Sequence, residues 1–155
     1  MKILVFSDSH GHTEQMIEAV EREHPDHIFF LGDCYRDSRE LASVYPRIPI
    51  NAVGGNCDWG AGPGDLIVEL EGVRFLLTHG HLHGAKSGLG GLIRAGLQNK
   101  VDMVCFGHTH EALNIPAAEG LWLFNPGTVG GIHYHAGYGV LTVDGGTVNG
   151  SLLRS

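Results

Sequence analysis

Permanent positive charge is what this chain is short of: 10 Lys and Arg stand against 17 Asp and Glu, a formal net charge of −7. A protein that grips duplex nucleic acid carries a basic footprint, so no duplex partner is expected. Long apolar runs are also missing, which excludes a membrane-spanning helix and leaves no membrane partner to expect. The first residues, Met1-Lys2-Ile3-Leu4-Val5-Phe6, meet Asp8 and His10 too early for the apolar region and cleavage site of a secretory leader. Cysteine is scarce: Cys34, Cys57 and Cys105 are odd in number and form no CxxC pair. No disulfide framework follows, and a reducing, cytoplasmic setting is expected. No repeat, long linker or composition break divides the chain.

The chain has 155 residues, 43% of them hydrophobic and 17% charged, with 24 Gly and 6 Pro. That balance excludes a disordered chain, a coiled coil and a collagen-like fibre. A chain of this length buries roughly 70% of the surface it exposes when unfolded, so residues 1–155 are expected to form a single domain. The 11 histidines outnumber all Lys and Arg together, and a histidine-rich acidic chain is a place to look for metal.

Short apolar runs alternate with amphipathic stretches. Ile3 to Phe6, His27 to Leu31 and Ile48 to Val53 read as strands, and Thr13 to Glu23 as a helix with Thr13 as N-cap. Ser38 to Tyr45 reads as a short helix ending before Pro46, and Gly60 to Gly64 as a loop. Leu66 to Leu70 and Val73 to Leu77 form a hairpin about Glu71-Gly72. A helix is expected from about Leu89 to Asn99, then strands over 102–106, 112–115 and 121–124, then a closing hairpin of 139–143 with 147–153. Strand–helix–strand units followed by a strand-rich half predict an α/β layered sandwich.

Five apolar strands each run into a polar, glycine-bearing cluster: Ser7-Asp8-Ser9-His10-Gly11-His12, Gly32-Asp33-Cys34, Gly54-Gly55-Asn56-Cys57-Asp58, Thr78-His79-Gly80-His81 and Gly107-His108-Thr109-His110. In an open α/β sheet, ligands bind beyond the carboxyl ends of the strands, so all five clusters are expected to converge on one sheet edge. Asp, Asn and His are oxygen and nitrogen ligands suited to Mn²⁺, Fe²⁺, Ni²⁺ or Zn²⁺. Asp8 with His10, and His108 with His110, place alternate side chains on one side of an extended segment. Seven such groups are too many for one tetrahedral ion and fit two ions sharing a carboxylate.

With these residues in place, the chain resembles the calcineurin-like metallophosphoesterases, and within them the short single-domain prokaryotic phosphodiesterase branch. The resemblance rests on Asp8-Ser9-His10, Gly32-Asp33, Gly55-Asn56-Cys57-Asp58, His79-Gly80-His81 and Gly107-His108-Thr109-His110, with Asn125-Pro126-Gly127 as a late turn, and it spans residues 1 to about 145. It implies two mixed β-sheets flanked by helices. It implies one metal on Asp8, His10, Asp33 and His110, and a second on Asp33, Asn56, His79 and His108, with Asp33 bridging. It implies two divalent ions, Mn²⁺ first and Ni²⁺, Fe²⁺ or Zn²⁺ otherwise, a metal-bridging water or hydroxide as nucleophile, and a small phosphate-ester substrate. The catalytic set is then Asp33, Asn56, His79 and His108, with Cys57 where the wider family carries the His thought to protonate the leaving group.

Cys57 is one departure: a thiol beside two cations is expected to be pushed toward thiolate, which cannot donate a proton. Asp37 is another, since it lies one residue beyond the family's usual second acid, which leaves its work of orienting His10 in question. His81 reads equally as a ligand or as a support for His79. His12, His83, His133 and His135 read as surface or pocket wall, and His24 and His27 as structural. Cys34 and Cys105 read as small core hydrophobes. Arg36, Lys86 and Arg94 read as solvated surface, and Trp59 and Trp122 as packing. The rival reading is a non-catalytic metal-binding or protein-interaction scaffold of the same fold. Self-association is left open.

Overall fold

Ile3-Leu4-Val5-Phe6 is apolar throughout because its strand is covered on both faces. Ile3 and Val5 point into one buried cluster, Leu4 and Phe6 into another, and all four are fully buried. The computed structural model describes residues 1–131 and 135–155. In chain order the strands and helices are β1 (Lys2–Phe6), α1 (Thr13–Glu23), β2 (His27–Phe30), α2 (Tyr35–Val44), β3 (Ile50–Ala52), β4 (Asp65–Leu70), β5 (Val73–Thr78), α3 (Gly90–Gln98), β6 (Met103–Cys105), β7 (Leu113–Pro116), β8 (Trp122–Asn125), β9 (Gly137–Asp144) and β10 (Thr147–Arg154). Two short 3₁₀ turns, His81–His83 and Ala85–Ser87, precede α3.

The strands form two five-stranded sheets, ordered β10-β9-β1-β2-β3 and β4-β5-β6-β8-β7. In the first, β1, β2 and β3 run parallel to the β3 edge and β9 and β10 add an antiparallel side; in the second, β5, β6 and β8 form a parallel centre between the antiparallel edge strands β4 and β7. Between the sheets lies a core to which Ile3, Val5 and Phe29 contribute from one side, and Phe75, Met103 and Phe124 from the other. Met16, Val20 and Leu41 of α1 and α2 cover the outer face of the first sheet, and Leu92 and Ala95 of α3 cover the second. The fold is therefore an α/β sandwich of two mixed sheets flanked by helices. Among the described residues no helix is long and apolar enough to cross a membrane.

Local differences from the sequence reading have physical causes. Thr13 is the first residue inside α1, not its cap; the cap position belongs to His12, and the Thr13 hydroxyl donates to Glu40 Oε2 at 3.1 Å. Helix α2 begins at Tyr35, three residues before Ser38, because a distant carboxylate described below satisfies its first amides. Strand β3 is shorter than Ile48 to Val53, as Pro49 has no amide to offer a ladder. Gly96 sits inside α3 because the helix lies close on the sheet: a Cβ there would come within 2.8 Å of Leu121 and Val104. Cys105 is fully buried, whereas Cys34 is only half-buried, in left-handed backbone ahead of α2, and is no part of the core. His133 lies outside the described residues.

Phe29 and Phe75 meet edge to face across the sheets with centroids 5.2 Å apart, both fully buried. Replacing Phe29 by Ala leaves a cavity at the centre of the sandwich. The expected outcome of Phe29→Ala is a loss of about 3–5 kcal/mol in urea unfolding with the slope of the transition unchanged.

Candidate metal centre

The polar clusters arrive from two sheets and not from a single sheet edge: β1, β2 and β3 deliver three, and β5 and β6 deliver the other two. Their backbones are unusual. Asp8, His10, Asp33, His108 and His110 all have φ between +47° and +69°. Such left-handed conformations cost about 1–3 kcal/mol each in non-glycine residues and persist only where surroundings enforce them. Here they turn each ligand-type side chain back toward a common point.

That point is Asp8, whose carboxylate is fully buried. Its Oδ2 accepts hydrogen bonds from Ser7 Oγ at 2.5 Å and from the His108 amide at 3.2 Å. Its Oδ1 has no hydrogen-bond partner, yet faces His110 Nε2 at 3.1 Å, His79 Nε2 at 3.9 Å and His10 Nε2 at 4.0 Å. Asp8, His10 and His110 bring one donor atom each within 4.8 Å of one another, and so do Asp8, Asp33 and His79. Asp8 is thus common to both groups, while Asp33, the bridge implied by resemblance, stands in the second alone. His79 Nδ1 lies 2.7 Å from the Leu31 carbonyl, which can only accept, so Nδ1 carries a proton and the neutral form of the ring has its lone pair on Nε2. A buried oxygen and a buried His10 Nε2 without partners, among carboxylates and imidazoles, are a donor set that fits a divalent cation.

His108 joins through His79, with Nδ1 to Nε2 at 3.2 Å, and His81 packs against both rings at 5.5 and 6.2 Å between centroids. Asn56 is exposed, and its amide donates to Cys57 Sγ at 3.6 Å. Cys57 is exposed in the neighbouring pocket. His83 pairs with Asp65 at 2.7 Å, His135 is exposed and His24 is an exposed helix end. His27 is buried against Asn51. Arg36, Lys86 and Arg94 are exposed, as is half-covered Trp122; Trp59 is 97% exposed and packs no core.

Two residues carry more than their positions suggested. Asp58 accepts hydrogen bonds from four backbone amides, those of Asp33, Cys34, Tyr35 and Gly55, at 2.7–3.0 Å. It ties the loop after β3 to the loop after β2 and caps α2 from a distance. The signal was the absence of a capping side chain at Cys34, which obliges the first amides of α2 to find an acceptor elsewhere. Asp37 is buried and accepts from Ser9 Oγ at 2.7 Å and the Gly11 amide at 2.8 Å, so it braces the backbone either side of His10. Thr128 and Asn125 act likewise behind the site, donating to the Asp8 and Gly107 carbonyls at 2.8 and 3.2 Å.

Residues 1–146 match the model of the calcineurin-like phosphoesterase superfamily domain. The chain belongs to this superfamily. It is 33% identical over 131 residues to the probable metallophosphoesterase YsnB of Bacillus subtilis, spanning 83% of this chain and 75% of that one. It is 31% identical over 158 aligned residues to the phosphodiesterase YfcE of Escherichia coli K12, spanning 83% and 79%. A predicted phosphoesterase of Streptococcus pneumoniae superposes with a TM-score of 0.78 at 27% identity, covering 92% of this chain and 83% of that one. Wild-type Vps29 of Entamoeba histolytica, solved with Zn²⁺, superposes at 0.80 over 97% of both chains; at 17% identity it shares the fold.

The titratable groups of this metallophosphoesterase-family site are strongly coupled. Burial pushes the Asp33 carboxyl up, but the hydrogen bond and charge of His79 and the Cys57 amide outweigh it and hold it well below the usual carboxylate range. Burial pushes His79 down, and Asp33 and Asp8 reverse this, so its value is raised. Burial and then the charge of His79 push His108 down to about 4. The unfolded chain takes up the His108 proton near pH 6.5, so between about 6.5 and about 4 it binds more protons than the folded chain, and stability falls as the pH is lowered through that window. The raised His79 acts in another window: its contribution is complete below about pH 6.5 and is lost as pH rises through the folded value. Urea midpoints of EDTA-treated protein are expected to drop from about pH 6.5 to about 4. His108→Gln should flatten that slope.

Proposed function

We propose that this chain is a dinuclear metal-dependent phosphodiesterase acting on small phosphate esters in the cytoplasm, with Mn²⁺ as the first candidate metal. One observation carries the reading: two ligand groups joined through Asp8, whose buried Oδ1 lacks a hydrogen-bond partner amid three imidazole nitrogens. Asp8, His10 and His110 would hold one ion, and Asp33 and His79 the other, with His108 and Asn56 completing the second set and Asp8 or Asp33 shared. Bound divalent ions lower the pKa of water to supply a nucleophile, and they neutralise charge on phosphate oxygens.

The chain's own residues set the stage for that chemistry. The Leu31 carbonyl fixes the His79 tautomer, Ser7 and the His108 amide fix the rotation of the Asp8 carboxylate, and Asp58 and Asp37 hold the loops that bear Asp33 and His10. Arg36 is the one Lys or Arg among the described residues lining the adjacent pocket, which supports a singly charged diester over a dianionic monoester. A scaffold of the same fold has no need of a complete set of carboxylate and imidazole donors around a buried, unpartnered oxygen.

Purified protein is expected to bind two Mn²⁺ per chain and to hydrolyse bis(p-nitrophenyl) phosphate faster than p-nitrophenyl phosphate. Asp33→Ala should abolish nearly all activity while remaining folded by circular dichroism. A single ion in fully active protein would overturn the dinuclear reading, and faster monoester turnover would overturn the diesterase reading.

Cys57 bears on the leaving group. In the chain's own field, burial and then Asp33 push its thiol up, the reverse of the thiolate expected beside cations. Divalent cations bound beside it would oppose that shift and favour the thiolate, which cannot donate a proton. Well-tuned general acids are worth about 10²–10⁴-fold, and without one the rate depends steeply on leaving-group pKa. Across diesters of graded leaving-group pKa, Cys57→Ala is expected to keep the steep wild-type dependence, and Cys57→His to accelerate alkyl leaving groups. Selective slowing of alkyl esters in Cys57→Ala would instead make the thiol the proton donor.

A further inference from the structure

A cavity of about 550 Å³ opens beside the ligand cluster, shares His10 with it, and is walled by Cys34, Tyr35, Arg36, Cys57 and Trp59. Trp59 is the outlier. It is 97% exposed, whereas the other exposed large hydrophobics range from 38% to 60%. Its backbone is left-handed, with φ +51°. That conformation is tolerated by Asp, Asn and His and is disfavoured for a bulky aromatic residue. Among the described residues, the non-glycine residues sharing it away from the ligand cluster and from this cavity (where Cys34 also has it), namely His24, Glu71, Lys100 and Glu119, are polar residues at element ends and turns.

The turn presenting Trp59 is firmly held. The Asp58 amide bonds the Gly55 carbonyl at 3.1 Å, the Ala61 amide bonds the Asp58 carbonyl at 2.9 Å, and the Asp58 carboxylate grips four further amides. Tyr35, at the start of α2, lines the same cavity, with the loop backbone at Gly62 laid so close on its ring that a Cβ there would strike it. The chain thus maintains strained backbone to hold an indole in water, at the mouth of a cavity that Tyr35 also lines, beside the ligand cluster. A rigid aromatic wall with its hydrophobic face uncovered binds planar rings with little ordering cost.

Resting on the phosphodiesterase reading above, we propose that Trp59 and Tyr35 form a stacking subsite for a planar aromatic ester group, aryl or nucleobase, of the diester substrate. Arg36 on the rim contributes a guanidinium toward the substrate's negative charge. The preferred substrates are then diesters bearing at least one aromatic ring, and Trp59 is a specificity residue acting on binding.

The chain has two Trp, so Trp122→Phe leaves Trp59 as the single tryptophan, read with excitation that spares the four Tyr. Titrated in Mn²⁺ buffer, adenosine 5′-monophosphate and phenyl phosphate are expected to quench it saturably and to bind about 10-fold or more tightly than ribose 5-phosphate. Trp59→Ala is expected to raise KM for bis(p-nitrophenyl) phosphate by about 10- to 100-fold with kcat little changed, and Trp59→Phe to restore it. Equal binding of ringed and ringless phosphates, with KM unchanged in Trp59→Ala, would overturn the proposal, and continued diester hydrolysis would then leave the phosphodiesterase reading standing. Ring-selective quenching in a protein that hydrolyses no diester would support the stacking site and sink the activity. A fluorescence change that follows protein concentration in place of ligand would assign Trp59 to self-association and also overturn it.

Discussion

A carboxylate with no exposed surface must find charge or hydrogen bonds, and Asp8 meets that demand at the point where the two sheets approach. One oxygen is held by the Ser7 hydroxyl and the His108 amide, so β1 and the loop after β6 are locked together by a single side chain. The other oxygen is left to three imidazole nitrogens. Isolated burial of an ionised carboxylate is so unfavourable that its neighbours must supply compensation, by cation, proton or dipole. The clustering of imidazoles about Asp8 answers that requirement, and Asp8 with Asp33 in turn raises His79.

The strained backbone at the ligands is offset by groups just outside them. Asp58 collects four amides from two loops, and Asp37 collects a hydroxyl and an amide on either side of His10. Charge-assisted bonds of this kind are about twice as strong as neutral ones, which suits them to hold left-handed residues in place. The sandwich core does the remainder, because the loops hang from strands packed on both faces. The same Asp58 turn that stabilises the site also carries Trp59, so metal-site geometry and the shape of the adjoining pocket are mechanically one unit.

A formal net charge of −7 sits oddly with the anionic substrate proposed until the charges are placed. Asp8 and Asp33, both buried, lie where divalent cations would reverse the local sign, and Arg36 lines the adjacent pocket. For the substrate proposed above, local charge at the site would then weigh more than the global balance.

Residue types and their places at strand ends were legible in the sequence, because a strand and the turn after it are local: apolar runs are bounded by Gly and polar residues wherever they occur. The helix over 13–23, the hairpin about Glu71-Gly72 and the choice of Asp8, His10, Asp33, His79 and His110 all came from such short-range pattern. Which carboxylate joins the two groups did not, nor did the convergence of clusters from two sheets. Those depend on contacts such as the His108 amide to Asp8, which spans 100 residues of chain. The reach of Asp58 to α2 and the full exposure of Trp59 were likewise settled only by packing. Sequence by itself determined the chemistry available, since ligand type is a property of single side chains. Tertiary structure decided which of those side chains share an atom's worth of space, since a distance between remote residues exists only once the sheets have closed on one another.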